Sequence, residues 1–401
     1  MGKQSISSRR ILLLCTTAYA SIYIARLNLS VASPLFEESG MMTTVQIGLM
    51  GSVFFVVYAA GRLLNGVVGD ALPAKKLLIV GLAAVAVSNL AIGLLPPVVA
   101  IISLWGFNGL AQSMLWGPAL RLVGHAYEGS PFRQTAAVIL SSSIGIGSLL
   151  AIALSSALST IGLRVLFIVP GLMVLAAALL MTGLPAAAGE AVSPHPGRTA
   201  ALLRKRDILC MLFPSAAHGI IKENLVLWAP LLFMHLYGFD LHSASFFAFF
   251  MPGAMLLGRT AYPILQHWCG GDERRVSIWS FIACILCMLP FFFWKLPVLL
   301  AAVLLAMTVL AASVINVAFM TMHPLRYEES HQVSMAAGLL DGISYIGSAV
   351  GSMLFGWIIG QVGYMPMLGV YVTVSLISVF SLLPTVPNWI RRKKQQVKEQ
   401  G

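Results

Sequence analysis

Two stretches decide the fold when they are set side by side. One is Ala136-Ala137-Val138-Ile139-Leu140-Ser141-Ser142-Ser143-Ile144-Gly145-Ile146-Gly147-Ser148. The other is Ala336-Ala337-Gly338-Leu339-Leu340-Asp341-Gly342-Ile343-Ser344-Tyr345-Ile346-Gly347-Ser348. Both open on paired alanines and close on Ile-Gly-Ser, at an offset of 200 residues. Gly61-Arg62 returns as Gly258-Arg259 at an offset of 197, and Arg26 is answered by Lys222 at 196. Slowly drifting offsets are what a duplication followed by small loop changes leaves behind.

The material between these landmarks is apolar. Of 401 residues, 58% are hydrophobic and 10% are charged. A soluble domain carries about 25% charged residues, so the solvent implied here is lipid. Runs long enough to span a bilayer can be read at 11–34, 45–69, 76–95, 98–121, 134–159, 162–183, 208–235, 243–267, 276–294, 297–321, 333–360 and 363–386. The expected fold is therefore an all-α membrane protein with twelve transmembrane helices in two pseudo-symmetric six-helix bundles. The bundles are expected at 1–183 and 208–390. A linker containing Gly189, Pro194, Pro196 and Gly197 joins them at 184–207, and a basic tail covers 391–401.

The charges fit that plan. With the N-terminus inside, nineteen Lys and Arg fall in inner segments and only Arg164 and Lys295 in outer ones. This bias predicts a multi-pass protein of the cell's inner membrane, with both termini cytoplasmic. It also explains the net charge of +11 without nucleic acid, because the basic residues form short clusters and no continuous face. Arg9 and Arg10 before an apolar run could suggest a signal peptide, but that run continues past Arg26 and reads as a retained first helix. The five cysteines form no disulfide framework, and Cys284 and Cys287 read as apolar packing. There is no phosphate-binding Gly-rich loop of the nucleotide hydrolases. Neither enzyme activity, metal nor cofactor is indicated. The expected partners are the bilayer and a small anion, with the monomer as the working unit.

Four cations remain inside spans: Arg26, Arg62, Lys222 and Arg259. A charge at the bilayer centre costs about 2.5–3.5 kcal/mol on insertion scales, so each needs a reason. Arg26 and Lys222 sit 15 and 14 residues into equivalent spans, roughly 20 Å deep, which is too far for easy snorkelling. Two opposed cations at one depth predict an anion between them. Arg62 and Arg259 lie nearer the inner ends, where snorkelling, a gate ion pair or a second tier of an anion path all fit. Tyr19, Tyr23 and Arg26 share a helix face, as do Tyr58 and Arg62, so their hydroxyls can orient an anion or steer an arginine. His218 shares the face of Lys222 and reads equally as a core residue or a ligand. The intramembrane acids Glu223 and Asp341 are candidates for proton coupling or for pairing with a cation. Adjacent helical positions diverge by about 100°, so Glu223 is not expected to pair with Lys222. Gly66-Val67-Val68-Gly69-Asp70-Ala71-Leu72-Pro73-Ala74-Lys75-Lys76 reads as a gate or topology element, with Asp70 at its centre.

That last stretch resembles the loop 2–3 signature of the major facilitator superfamily. Within the superfamily the chain is similar to the organophosphate:phosphate antiporters, which include glycerol-3-phosphate and hexose-6-phosphate transporters. Tyr19, Tyr23 and Arg26 match that family's phosphate-binding tyrosines and helix-one arginine. Tyr58 and Arg62 match its helix-two tyrosine and basic residue. Leu104-Trp105-Gly106-Phe107-Asn108-Gly109 with Trp116-Gly117-Pro118 resembles its helix-four pattern, and Ser344-Tyr345-Ile346-Gly347 its helix-eleven glycine stretch. Lys222 before Trp228-Ala229-Pro230 takes the place of the helix-seven basic residue, usually Arg. Ile144 stands where a helix-five histidine is usual, and Leu227 where an acid is. The resemblance implies alternating-access transport of a phosphorylated organic anion, exchanged for phosphate. Asn28-Leu29-Ser30-Val31-Ala32 also looks like helix one of the anion:cation symporters, which implies coupled uptake of carboxylates as the alternative. A non-transporting sugar-phosphate sensor is a third reading.

Overall fold

A computed structural model describes residues 2–68, 73–184, 205–327 and 333–385. The linker between 185 and 204, the gate residue Asp70 and the tail from 386 onward lie outside the described residues. Among the described residues, twelve helices are long and apolar enough to cross a membrane. They are α1 (Ser8–Glu38), α2 (Thr44–Arg62), α3 (Ala74–Gly93), α4 (Val98–Ala126), α5 (Thr135–Ser159), α6 (Val165–Thr182), α7 (Arg206–Tyr237), α8 (Leu241–Trp268), α9 (Glu273–Phe293), α10 (Val298–Met322), α11 (Ala336–Val362) and α12 (Met365–Leu382). They coincide with the twelve segments read from the sequence. Lipid offers the backbone no hydrogen-bond partner, so each apolar run must satisfy its own N–H and C=O groups by coiling. Twelve crossings return the chain to its starting side, here called the terminal face; the opposite side is the far face.

Proline sets the interruptions. Pro118 has no N–H for the carbonyl four residues earlier, and α4 breaks at Met114–Leu115 into Val98–Ser113 and Trp116–Ala126. Pro252 has the same relation to Ala248, where α8 breaks at Phe249. The first break turns the Trp116 ring onto Tyr19, 4.9 Å between centroids.

Each bundle repeats the other's packing. In the first, α1 packs on α5, α2 on α4 and α3 on α6; in the second, α7 packs on α11, α8 on α10 and α9 on α12. Without a hydrophobic force between helices in lipid, close backbone approach at small residues holds them. Gly147 of α5 lies against the backbone of Ala20, and Gly347 of α11 against that of Ala216. The partners are related by the offsets 200 and 196 that the sequence repeat shows.

The bundles meet along α2–α11 and α5–α8, and along α1–α7 at the centre. Toward the far face, Gly48 and Gly356 bring α2 and α11 so close that a Cβ on either would strike the other's backbone. There Ser352 Oγ donates to the Gly48 carbonyl at 2.9 Å. Gly347→Leu is expected to destabilise the second bundle by about 1–3 kcal/mol through overpacking. Gly338, which faces open space, should tolerate the same change. Thermal unfolding in detergent checks this, with a lowered midpoint expected for the first variant alone.

Candidate functional site

Pro34 of α1 and Pro230 of α7 are equivalent residues, 196 apart. Pro230 cannot donate to the Val226 carbonyl, and the Ser30 hydroxyl does so from the other bundle, at 2.7 Å. The same hydroxyl lies 3.1 Å from the Leu227 carbonyl. Ser30 and Val226 are themselves equivalent positions in contact, so the pseudo-two-fold axis passes between them.

One helical turn toward the terminal face, Arg26 and Lys222 flank that axis. Each is only 7% exposed. The carboxylate of Glu223 lies between them: Lys222 Nζ is 2.6 Å from one oxygen and Arg26 Nη2 is 3.4 Å from the other. Helical spacing has Lys222 and Glu223 diverging; the structure corrects that expectation. The lysine's four-carbon stem lets its ammonium fold back onto its neighbour, and a buried carboxylate between two buried cations lowers the energy of all three. The anion expected between the cations is thus, in this conformation, part of the protein.

Aromatic rings enclose Arg26. Its guanidinium carbon lies 5.1 Å from the Phe54 and Tyr58 centroids, 5.6 Å from Tyr345, 5.7 Å from Tyr23 and 6.0 Å from Phe55. Ring faces favour a cation electrostatically while excluding water. Of these, Tyr23 and Tyr58 are expected from the sequence. Phe54, Phe55 and Tyr345 are not, and Tyr345 comes from the opposite bundle. A signal for Tyr345 exists: its counterpart by the repeat is Gly145, so an aromatic stands where the symmetry has a glycine. A cavity of about 30 Å³ adjoins Arg26 and Glu223, walled by Ser30, Gly51, Phe54 and Trp105.

Toward the terminal face, α2 and α11 close the path in two layers. The rings of Tyr58 and Tyr345 meet at 4.4 Å between centroids. Beyond them Arg62 donates through Nη2 and Nε to Asp341 Oδ2, at 2.8 and 3.2 Å. Asp341 and Glu223 therefore each hold a cation. With the glycine contacts on the far side, the α2–α11 seam is shut both above and below Arg26.

The remaining expected residues divide. Tyr19 is buried in the first bundle against Trp116 and Tyr23. His218 is buried between α7 and α11, with Nδ1 3.0 Å from Ser344 Oγ. Arg259 is half-buried on α8, away from the seam that holds Arg62. A larger hollow of about 1000 Å³ opens at the terminal face between Ser8, Arg9, His125 and Phe132. It lies off the axis and shares no residue with the site. No cluster of metal-ligating side chains occurs among the described residues.

Known proteins share this architecture. The structure superposes on a mutant form of the nucleoside transporter NupG with a TM-score of 0.80 over 94% of this chain and all of that one, at 15% identity. That likeness concerns the fold alone. In sequence, the chain is 22% identical over 388 residues to the phosphoglycerate transporter protein of Salmonella typhimurium, covering 86% of this chain and 82% of that protein. It is 28% identical over 156 residues to a probable hexose phosphate transport protein of Chlamydia trachomatis. That match covers 39% of this chain and spans only 34% of the relative's length. The family profile matches residues 15–336. With twelve spans, two related bundles and a polar site on the axis between them, the chain belongs to the Major Facilitator Superfamily.

Proposed function

We propose that this transporter carries a small phosphorylated organic anion in exchange for inorganic phosphate, by alternating access at the axis between its bundles. One observation carries the reading: Arg26 and Lys222, equivalent residues of the two halves, converge at the axis on a single carboxylate. An anionic substrate would take the place of Glu223 between the two cations and draw the bundles onto it. Tyr23 and Tyr58 would orient its oxygens. Distant similarity to proteins named for phosphoglycerate and hexose phosphate supports a phosphate headgroup. The chemistry is translocation: binding and rocking, with no bond made or broken.

A second reading, proton-coupled uptake of an organic carboxylate, draws on Glu223 itself. A carboxylate inside the site offers a place where a proton could free both cations for a substrate. Phosphate counterflow separates the two. In proteoliposomes, labelled glycerol 3-phosphate should enter faster against internal phosphate than against a pH gradient alone. Arg26→Ala should reduce that exchange by about 100-fold, since charge-assisted hydrogen bonds to a buried group contribute about 1.5–3 kcal/mol each. Unchanged exchange in that variant would refute the site.

The pair Arg62–Asp341 is proposed as the gate toward the terminal face, which must part when that side opens. Reversing either charge alone should cut exchange by about tenfold or more, and the swapped pair Arg62→Asp with Asp341→Arg should recover most of it. A swap as inactive as the single reversals would mean that Arg62 also meets the substrate.

The terminal face is proposed as cytoplasmic, from the nineteen-to-two distribution of basic residues. A membrane-impermeant thiol reagent on intact cells should label Lys295→Cys and spare Lys76→Cys, in a background freed of native cysteines. The opposite pattern would invert the orientation.

A further inference from the structure

Arg62 and Arg259 hold equivalent places in the two bundles, each following a glycine, 197 residues apart. Their neighbours differ. Arg62 crosses the α2–α11 seam to Asp341. By the repeat, the α5 residue that answers to Asp341 is Ser141. The second seam is built like the first: α5 packs on α8, with Gly145 against Leu256 and Leu149 against Gly253. Ser141 lies one turn from Gly145 toward the terminal face, and Arg259 lies three residues from Leu256 in the same direction. A serine therefore stands at the level where the other seam supplies a carboxylate. Arg259 has no ion-pair or hydrogen-bond partner among the described residues.

Arg259 does not lie at the centre of the exposed face of α8. Leu257, Thr260, Pro263 and Ile264 mark the exposed stripe of α8, and Arg259 lies at its edge, four residues from Pro263 and three from buried Tyr262. At about 100° per residue, Arg259 lies about 200° round from Leu257, on the side of buried Met255 and Tyr262. Leu256, three residues earlier, packs against Gly145 of α5, so Arg259 lies near the face of α8 that meets the other bundle. The guanidinium thus faces the space between the bundles. Among the described residues along this path, four cations, Arg26, Lys222, Arg62 and Arg259, face two carboxylates, Glu223 and Asp341. Two positive charges are left for a substrate to neutralise, one at the axis and one at Arg259.

A half-buried cation inside a membrane protein, with no carboxylate partner among the described residues, is a candidate place for an anion from outside. We infer that Arg259 is a second anion subsite and that the carried molecule bears two acidic groups, one held by Arg26 and Lys222 and the other by Arg259. By chain position Arg259 stands to Lys222 as Arg62 stands to Arg26. Those two guanidinium groups lie 5.9 and 5.1 Å from one ring, that of Tyr58. Charges so placed suit a molecule of a few carbons with a phosphate or similar oxyanion at one end and a carboxylate at the other. The inference rests on the axial site proposed above and adds a requirement to it.

Binding to purified protein in nanodiscs tests it with two probes that share the phosphate and differ at the far end: 3-phosphoglycerate and glycerol 3-phosphate. The intact protein should bind the diacid at least about tenfold more tightly. Arg259→Gln should bring the diacid down to the level of glycerol 3-phosphate and leave the latter within about twofold, which also reports that the variant is folded. Arg259→Lys should retain part of the preference. Equal loss for both probes, or no change for either, would overturn the second subsite while leaving the axial site standing. If neither probe binds the intact protein, or if Arg26→Ala leaves both affinities unchanged, the axial reading fails and takes this inference with it.

Discussion

A cation buried in a low-dielectric interior must be neutralised where it sits, and the middle of this protein is arranged around that requirement. Arg26 is 7% exposed and lies far from either surface. Its charge is met by Glu223 and by the faces of five aromatic rings. Lys222 shares the same carboxylate. An ion triad of this kind is weak evidence for stability, because the desolvation of each member offsets much of the attraction. It does give specificity: removing one member leaves the others buried and unpaired. In the function proposed above, an anion that replaces Glu223 between the cations would avoid that penalty.

The surrounding packing makes the site a place where two bodies meet and can part. Within each bundle, glycines lock α1 to α5 and α7 to α11 backbone against backbone. Between bundles, Gly48 and Gly356 make the same kind of contact at the far-face end of the α2–α11 seam, and the contacts nearer the site are of a different kind. A serine hydroxyl meets a carbonyl freed by Pro230, two tyrosine rings touch, and Arg62 reaches Asp341. Each is polar or aromatic and confined to a few residues. The asymmetry between the seams matters as much. One seam closes its own charge, and the other presents Arg259 with a serine at the equivalent place.

Much of this is legible in the sequence. Apolar runs of spanning length locate all twelve helices, because lipid leaves the backbone no alternative to coiling. The repeat aligns Arg26 with Lys222, and equal depth in equivalent helices is enough to bring them to the axis. What the sequence does not disclose is which side chain neutralises which. Spacing along one helix sets Lys222 apart from Glu223, yet a flexible four-carbon stem overrides the Cβ directions on which such arguments rest. Arg62 and Asp341 are 279 residues apart, and their pairing depends on the register of α2 against α11, fixed by glycines such as Gly48 and Gly356. Tyr345 is hidden for the same reason, as its ring enters a cage built by the other half.

Arg26 and Lys222 are proposed to hold the substrate's anion where Glu223 now lies. An experimental structure determined with bound glycerol 3-phosphate tests it most directly. The phosphate should lie within hydrogen-bond distance of both cations, with the Glu223 carboxylate turned away from Arg26. Phosphate density elsewhere, with the Arg26–Glu223 pair intact, would rule out that placement.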